Sequence, residues 1–206
     1  MAGCGGVVSE VSQQRLRRIE QAITRRPAKL VSLQGEPWRA AVAVIFEQRA
    51  EDLHVLFIHR AVNELDPWSG HMGFPGGGKE ASDADLHETV VREVREEVGI
   101  DLSQSARLIG RLDEIRGVAR GRQLDLVISP FVFALEQAVE CKINHEVQGV
   151  LWVPLSFLED SENESIVEHR INDLPMRLPA YIYQDRTIWG LTFRMMQSLL
   201  EVIGRG

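Results

Sequence analysis

The sequence predicts an α/β sandwich built on a mixed β-sheet, and three observations carry that expectation. Short runs rich in Val, Ile, Leu, Phe and Ala recur with strand composition. Segments with apolar residues every third or fourth position interleave with them. A loop rich in glycine and proline separates the first strand pair from the clearest helix. With 206 residues, 44% of them hydrophobic and 26% charged, the chain is long enough to bury one substantial core. The organisation expected is a tail and helix over residues 1–35, then a single domain over residues 36–206 that includes a C-terminal helix.

Taken in order, residues 10–26 set Val11, Leu16, Ile19 and Ile23 at roughly helical spacing among Gln, Arg and Glu, and Pro27 ends that helix. Residues 39–46 and 53–59 read as two central strands joined by the charged stretch 47–52. Two prolines and five glycines within residues 66–78 break any regular element and leave a long, shaped loop. From a start at Ser82 or Asp83, Leu86, Val90, Val94 and Val98 recur every four residues, and Gly99 stands where a helix stop belongs. Asp83, Asp85 and Glu88 suit the positive end of its dipole. Residues 108–112, 124–135 and 147–153 read as strands, the second interrupted at Pro130. Pro154 opens a short helix through Leu158, and residues 188–203, with Leu191, Met195, Leu199 and Val202, form a closing amphipathic helix. No internal repeat or low-complexity tract is present in the sequence.

Charge narrows the function classes. Lys and Arg total 23 against 30 Asp and Glu, a formal net charge of -7 that repels nucleic acid and anionic membrane. An anionic substrate therefore needs a local cation. Cys4 and Cys141 cannot build a disulfide framework, so a reducing cytoplasm is the expected compartment. No basic stretch followed by a long apolar run opens the chain, and neither export nor membrane insertion is expected.

The chemistry sits on the helix that ends at Gly99, in the run Arg92-Glu93-Val94-Arg95-Glu96-Glu97-Val98-Gly99-Ile100. Glu93 and Glu97 are one turn apart on one face, and Glu96 lies three residues from Glu93 and alongside it. Like charges this close repel unless a cation or an arginine neutralises them. Mg²⁺ or Mn²⁺ would do so while leaving coordination positions for water and phosphate oxygens. A solvated acidic helix face is the competing reading of the same residues.

With the upstream loop included, the chain resembles the Nudix family. Its signature is G-x5-E-x7-R-E-U-x-E-E-x-G-U, with U aliphatic. Residues 92–100 match the second half at every fixed position, and Phe74-Pro75-Gly76-Gly77 resembles a common entry to the first half. The first half departs from the pattern: counted from Gly77 the acidic position is Asp83, with one residue more before Arg92, a spacing similar to that of the coenzyme A pyrophosphatase branch. The run Leu56-Phe57-Ile58-His59-Arg60-Ala61, followed by Gly70 and Phe74-Pro75-Gly76-Gly77, resembles that branch's second motif, L-L-T-x-R-[SA]-x3-R-x3-G-x3-F-P-G-G. Leu65 stands where that motif has its second arginine, and the spacing to Gly70 is one residue longer.

The resemblance implies an α/β/α sandwich and a Mg²⁺- or Mn²⁺-dependent hydrolase of a diphosphate bond in a small anionic metabolite. Coenzyme A or an acyl-CoA is the first substrate reading, split to phosphopantetheine and adenosine 3′,5′-bisphosphate. Nucleoside diphosphate derivatives such as ADP-ribose, or nucleoside triphosphates, are the second, and a non-catalytic ligand-binding domain the third. It also implies metal ligation by Glu93, Glu97, Glu96 and the Gly77 carbonyl, with Arg92 holding a carboxylate in position. The general base is either Glu93 or a loop residue, for which Glu146 is the candidate. Arg60, and Arg120 and Arg122 in the arginine-rich stretch 116–122, are the candidates to bind a substrate phosphate. His71 has no nucleophile elbow or Cys-His cluster around it, and the glycines do not make a dinucleotide-binding fingerprint. Trp68 and Trp189 read as packing residues. The partner expected is a small molecule, and a homodimer is compatible with the sequence.

Overall fold

The computed structural model describes residues 9–32, 35–63, 68–119, 121–171 and 174–204. In chain order it contains helix α1 (Glu10–Arg25), strands β1 (Trp38–Arg49), β2 (Asp52–Arg60), β3 (Met72–Gly73) and β4 (Gly76–Gly78), and helices α2 (Leu86–Val98) and α3 (Leu102–Ser105). There follow β5 (Ala106–Arg111), β6 (Ile115–Ala119), β7 (Arg122–Leu135), β8 (Val147–Pro154), α4 (Leu155–Glu159), β9 (Glu164–Ile171), β10 (Leu174–Tyr183), β11 (Arg186–Trp189) and α5 (Gly190–Ile203).

The large sheet is mixed, as expected: β1 runs parallel to β7, and every other pairing is antiparallel. Alternation along its strands feeds two cores. Val44, Phe46, Val55, Phe57 and Val132 face α1, α4 and α5, where Leu16, Ile19, Ile23, Leu155 and Leu199 meet them. Ala41, Ile45, Leu56, Ile58 and Phe133 face Val90, Val94 and Val98 of α2. The result is an α/β/α sandwich in which α1 belongs to the same core as the rest. Among the described residues no helix is long and apolar enough to cross a membrane.

The geometry that creates the site is a divergence of strands. β1 and β2 pair only between Phe46–Arg49 and Asp52–Val55, and then splay apart. Residues 72–78 fill the wedge, Met72 and Gly73 pairing with β2 and Gly76 to Gly78 pairing with β1. The glycine-rich loop is thus two short strands joined through Phe74 and Pro75.

Several sequence expectations need correction. Helix α2 starts at Leu86, not at Ser82 or Asp83, because Asp85 caps it by accepting the Glu88 amide and Asp83 is engaged in a turn that accepts the Glu80 amide. β7 runs through Pro130 without interruption. Its carbonyl accepts the Leu112 amide, so the proline nitrogen faces the same side, at the seam where β5 has ended and β6 begins, and no ladder donor is lost. Ile188 and Trp189 belong to β11, which delays α5 to Gly190. Residues 116–119, read as a loop, lie in β6, and the hairpin of β9 and β10 was not anticipated.

That hairpin is held by Tyr181, fully buried, whose hydroxyl donates to the Leu158 carbonyl (2.8 Å) and accepts from Gln197 Nε2 (2.8 Å). Replacing it by phenylalanine removes the donor to Leu158 and the acceptor for Gln197 with no change of shape. Tyr181→Phe is expected to lower stability by about 1–3 kcal/mol, read as a lower urea midpoint at unchanged m value.

Candidate functional site

Glu97 is the most deeply placed acid of the site, 2% exposed. It lies on the face of α2 shared with Val90 and Val94, which turns it under the glycine loop. Its Oε2 accepts the Gly76 amide at 2.8 Å, and its Oε1 lies 3.7 Å from Arg60 Nη1 at the end of β2. Burial is the main influence on the carboxyl and raises its pKa to about 7; the Gly76 amide and Arg60 oppose the shift, and the charges of Glu93 and Glu146 add to it. Glu93, one turn earlier, is also raised, first by burial and then by Glu96 and Glu146, against the opposing Arg92. Glu146, exposed in the loop before β8, therefore presents its charge to both helix carboxylates.

Two glycines have separate steric reasons to be glycine. Gly76 has φ +145, and a Cβ there would collide with the Ala41 carbonyl oxygen of β1. A Cβ on Gly77 would stand 2.5 Å from the Glu93 carboxylate carbon. The Glu93 side chain is thus laid against loop backbone.

Arg92 ties the assembly together. Its Nε and Nη2 grip Asp83 at 3.0 Å each, a two-pronged pairing that holds the Asp83 carboxyl well below the usual range. Asp83 is buried and also accepts the Thr89 hydroxyl and the Glu80 amide. The other prongs of Arg92 reach Glu93 Oε1 (2.9 Å) and the Gly78 carbonyl (3.1 Å). The guanidinium is correspondingly held even more firmly protonated than usual.

Of the residues singled out in the sequence, Gly77, Arg60, Arg92, Glu93, Glu97 and Glu146 come together here. Glu96 points outward, its side chain 57% exposed and 3.6 Å from Arg92 Nη1. Arg122 is exposed at the start of β7, in the hairpin with β6, and makes no described contact with the carboxylates. Arg120 lies outside the described residues. Sequence reasoning missed how closely Asp83 and Arg92 are coupled; the acid nine residues upstream of the arginine, next to a helix start, was the available signal. Trp68, read as a packing residue, donates its Nε1 to the Val118 carbonyl and so joins the loop after β2 to the β6–β7 hairpin. The His71 ring lies beside that of Trp189, centroids 4.6 Å apart and tilted by 58°.

Among the described residues no three His, Cys, Asp or Glu side chains are already gathered as a metal cage. The donor chemistry nevertheless fits a hard divalent cation: all side-chain donors are carboxylate oxygens, two of them disfavoured as anions by burial and by one another. Such a cation removes that penalty.

Comparison with known proteins agrees with this geometry. The NUDIX domain model matches residues 37–170, well over half of the chain. An uncharacterized protein of Schizosaccharomyces pombe is 35% identical over 147 residues, covering 62% of this chain and 45% of that protein, so the chain spans less than half that relative's length. The mitochondrial coenzyme A diphosphatase NUDT8 of Homo sapiens is 24% identical over 200 residues, 97% of this chain and 81% of that one. Among solved structures, a MutT/nudix family protein from Enterococcus faecalis superposes with a TM-score of 0.53 at 16% identity, covering 97% of this chain and 81% of that one, a likeness of fold. The chain belongs to the Nudix family.

Proposed function

We propose that this protein hydrolyses a diphosphate bond in a small anionic metabolite with the help of Mg²⁺ or Mn²⁺, and that coenzyme A or an acyl-CoA is its substrate. The single observation that carries the chemistry is the mutually repelling pair of half-buried Glu93 and buried Glu97, set against glycine-loop backbone. Glu93 and Glu97, with Glu96 and the Gly77 carbonyl, would hold the cation. Held there, it would supply positive charge against the diphosphate and make a water a better nucleophile near neutral pH. Water oxygen joins phosphorus, the bridging P–O bond breaks, and two monophosphates leave with the water's protons. Arg92 fixes Glu93 from the side, so its carboxylate is oriented before substrate arrives. Either Glu93 or Glu146 would accept the proton, and the exposure of Glu146 supports the loop residue.

The coenzyme A reading is supported by the motif around Arg60 and by the name of the human relative. Leu65, in place of that motif's second arginine, favours the other reading, a nucleoside diphosphate derivative. A cytoplasmic location is part of the proposal.

Turnover tests the metal ligands. Glu93→Gln and Glu97→Gln should each lose more than the roughly 10–100-fold that removal of an outer-shell partner costs, and wild-type activity should vanish in chelator and return with Mg²⁺ or Mn²⁺. Near wild-type rates in either variant at limiting Mg²⁺ would remove the assignment. A stability measurement gives an independent reading. Folding raises the Glu97 pKa above its ordinary 4.5, so the stability it contributes is present in full below that value and is lost as pH rises through about 7. Metal-free protein should therefore melt lower at pH 8 than at pH 5 by a margin that shrinks in Glu97→Gln, and Mg²⁺ should restore the wild type at pH 8. The substrate reading has its own test: replacing Arg120 and Arg122 by alanine should raise KM for coenzyme A more than for dephospho-coenzyme A, and equal effects would clear the β6–β7 hairpin of any role in reading the ribose phosphate.

A further inference from the structure

Trp38 is an unusual residue for a surface. It opens β1 with 79% of its area exposed, although an indole is among the side chains most favoured by burial. It lines a cavity of about 340 Å³ with Pro37, Arg39, Lys79, Glu80 and Ala81. The two rims of this cavity are locked to each other by the hydrogen bond from the Lys79 amide to the Arg39 carbonyl (2.8 Å), which continues the pairing of β4 with β1. The platform is therefore rigid backbone on both sides.

This cavity adjoins the carboxylate site. One nitrogen of Arg92, Nη1, lies 2.9 Å from Glu93 Oε1 and 3.8 Å from Glu80 Oε1, so the rim and the cluster share it. Gly78, whose carbonyl Arg92 also holds, precedes Lys79 directly. Of the two cations in the lining, Lys79 Nζ spends one of its three donors on the Asp83 carbonyl, while Arg39, next to Trp38 in an extended strand and so directed to the other face of the sheet, reaches Glu114 with Nη1 at 3.3 Å. Glu80, the one acid of the lining, is turned toward Arg92.

We propose that Trp38 is the stacking platform for the heteroaromatic base of a nucleotide-containing diphosphate, with Lys79 the cation of the same lining that serves the sugar-phosphate linking base to scissile bond. This rests on the diphosphatase reading and gives it a specificity residue. An indole face accepts any flat base, and a lysine in the same lining adds attraction for the anionic linker. The geometry makes the nucleoside half of the substrate the part bound at this end of the cleft.

The test separates the platform from the activity. With Mg²⁺ present, KM and kcat are measured for coenzyme A and for the same diphosphate diester carrying an abasic ribose in place of adenosine. Trp38→Ala should raise KM for coenzyme A by about tenfold with kcat nearly unchanged, Trp38→Phe should recover most of that loss, and the abasic substrate should show no difference between variants. Equal shifts on both substrates, or none on either, overturn the proposal. Titration with ADP, read by tryptophan fluorescence, needs no turnover: quenching in the wild type that is lost in Trp38→Phe supports the platform, and quenching that persists undiminished overturns it. A wild type that cleaves no adenosine-containing diphosphate yet loses ADP quenching in Trp38→Phe would keep the platform and remove the proposed activity. A dimer in sedimentation that dissociates in Trp38→Ala and is indifferent to ADP would overturn the platform by showing that a second copy covers the indole.

Discussion

The hydrogen bond from the Gly76 amide to the buried carboxylate of Glu97 is the contact on which the rest of the site depends. It joins α2 to the short strand that fills the wedge between β1 and β2, and so couples the helix to the sheet at the point where the sheet opens. The approach is possible because the loop carries no Cβ at either of two critical places. At Gly76 a side chain would strike β1, and at Gly77 it would strike Glu93. Substitution at the first would push the strand off the sheet, and at the second it would push the carboxylate out of the site. Adjacent glycines thus protect different things, one the fold and the other the chemistry.

An acidic helix face exposed to water needs no such arrangement, and this is what separates the site from a solvated surface. Arg92 is not spread over solvent but satisfied by Asp83, Glu93 and the Gly78 carbonyl at hydrogen-bond distance. Asp83 in turn is saturated by the Glu80 amide and the Thr89 hydroxyl. Because Asp83 must face Arg92 from outside the helix, the chain turns at Glu80 to Asp83, and Asp85 starts the helix only afterwards. The position of the helix start is therefore a consequence of how the arginine is held.

How much of this was legible in the sequence follows from which forces act locally. The i, i+4 relation of Glu93 and Glu97 and the stop at Gly99 are properties of one helix, and they were readable because a helix has a fixed period. Residues 39–46 and 53–59 were readable as strands for the same reason, since their apolar content is continuous. The β6 strand was not, because Arg116, Gly117 and Arg122 look like a solvated loop and the stretch becomes a strand only by pairing with β7. Nor was the β9–β10 hairpin: Glu164, Glu168, His169 and Arg170 dilute its apolar alternation, and its anchor is a single tyrosine buried against α4 and α5. Pro130 misled because a proline reads as a break unless the direction of the missing donor is known. In the site itself, the residue types were legible and their partners were not. Arg60 suggested a phosphate contact, yet its guanidinium lies beside Glu97, a pairing that joins positions far apart in the chain.

That pairing sharpens the question of how an acidic protein admits a polyanion. Around the cleft stand Glu80, Asp83, Glu93, Glu96, Glu97 and Glu146, and the two guanidiniums among them, Arg60 and Arg92, are already turned to those carboxylates. Neither arginine can serve a diphosphate at full strength without abandoning a carboxylate that burial has made costly to leave alone. Raised pKa values at Glu93 and Glu97 are the same fact seen from the protein's side: without added positive charge, this cluster relieves itself by taking up protons. On the proposed reading, divalent cations and protons would compete for one set of oxygens, and an anionic substrate would be admitted only where the cations win. On that reading the local cation called for by a formal charge of -7 over the whole chain would be supplied within a few ångströms by a divalent ion, because the arginines are already engaged.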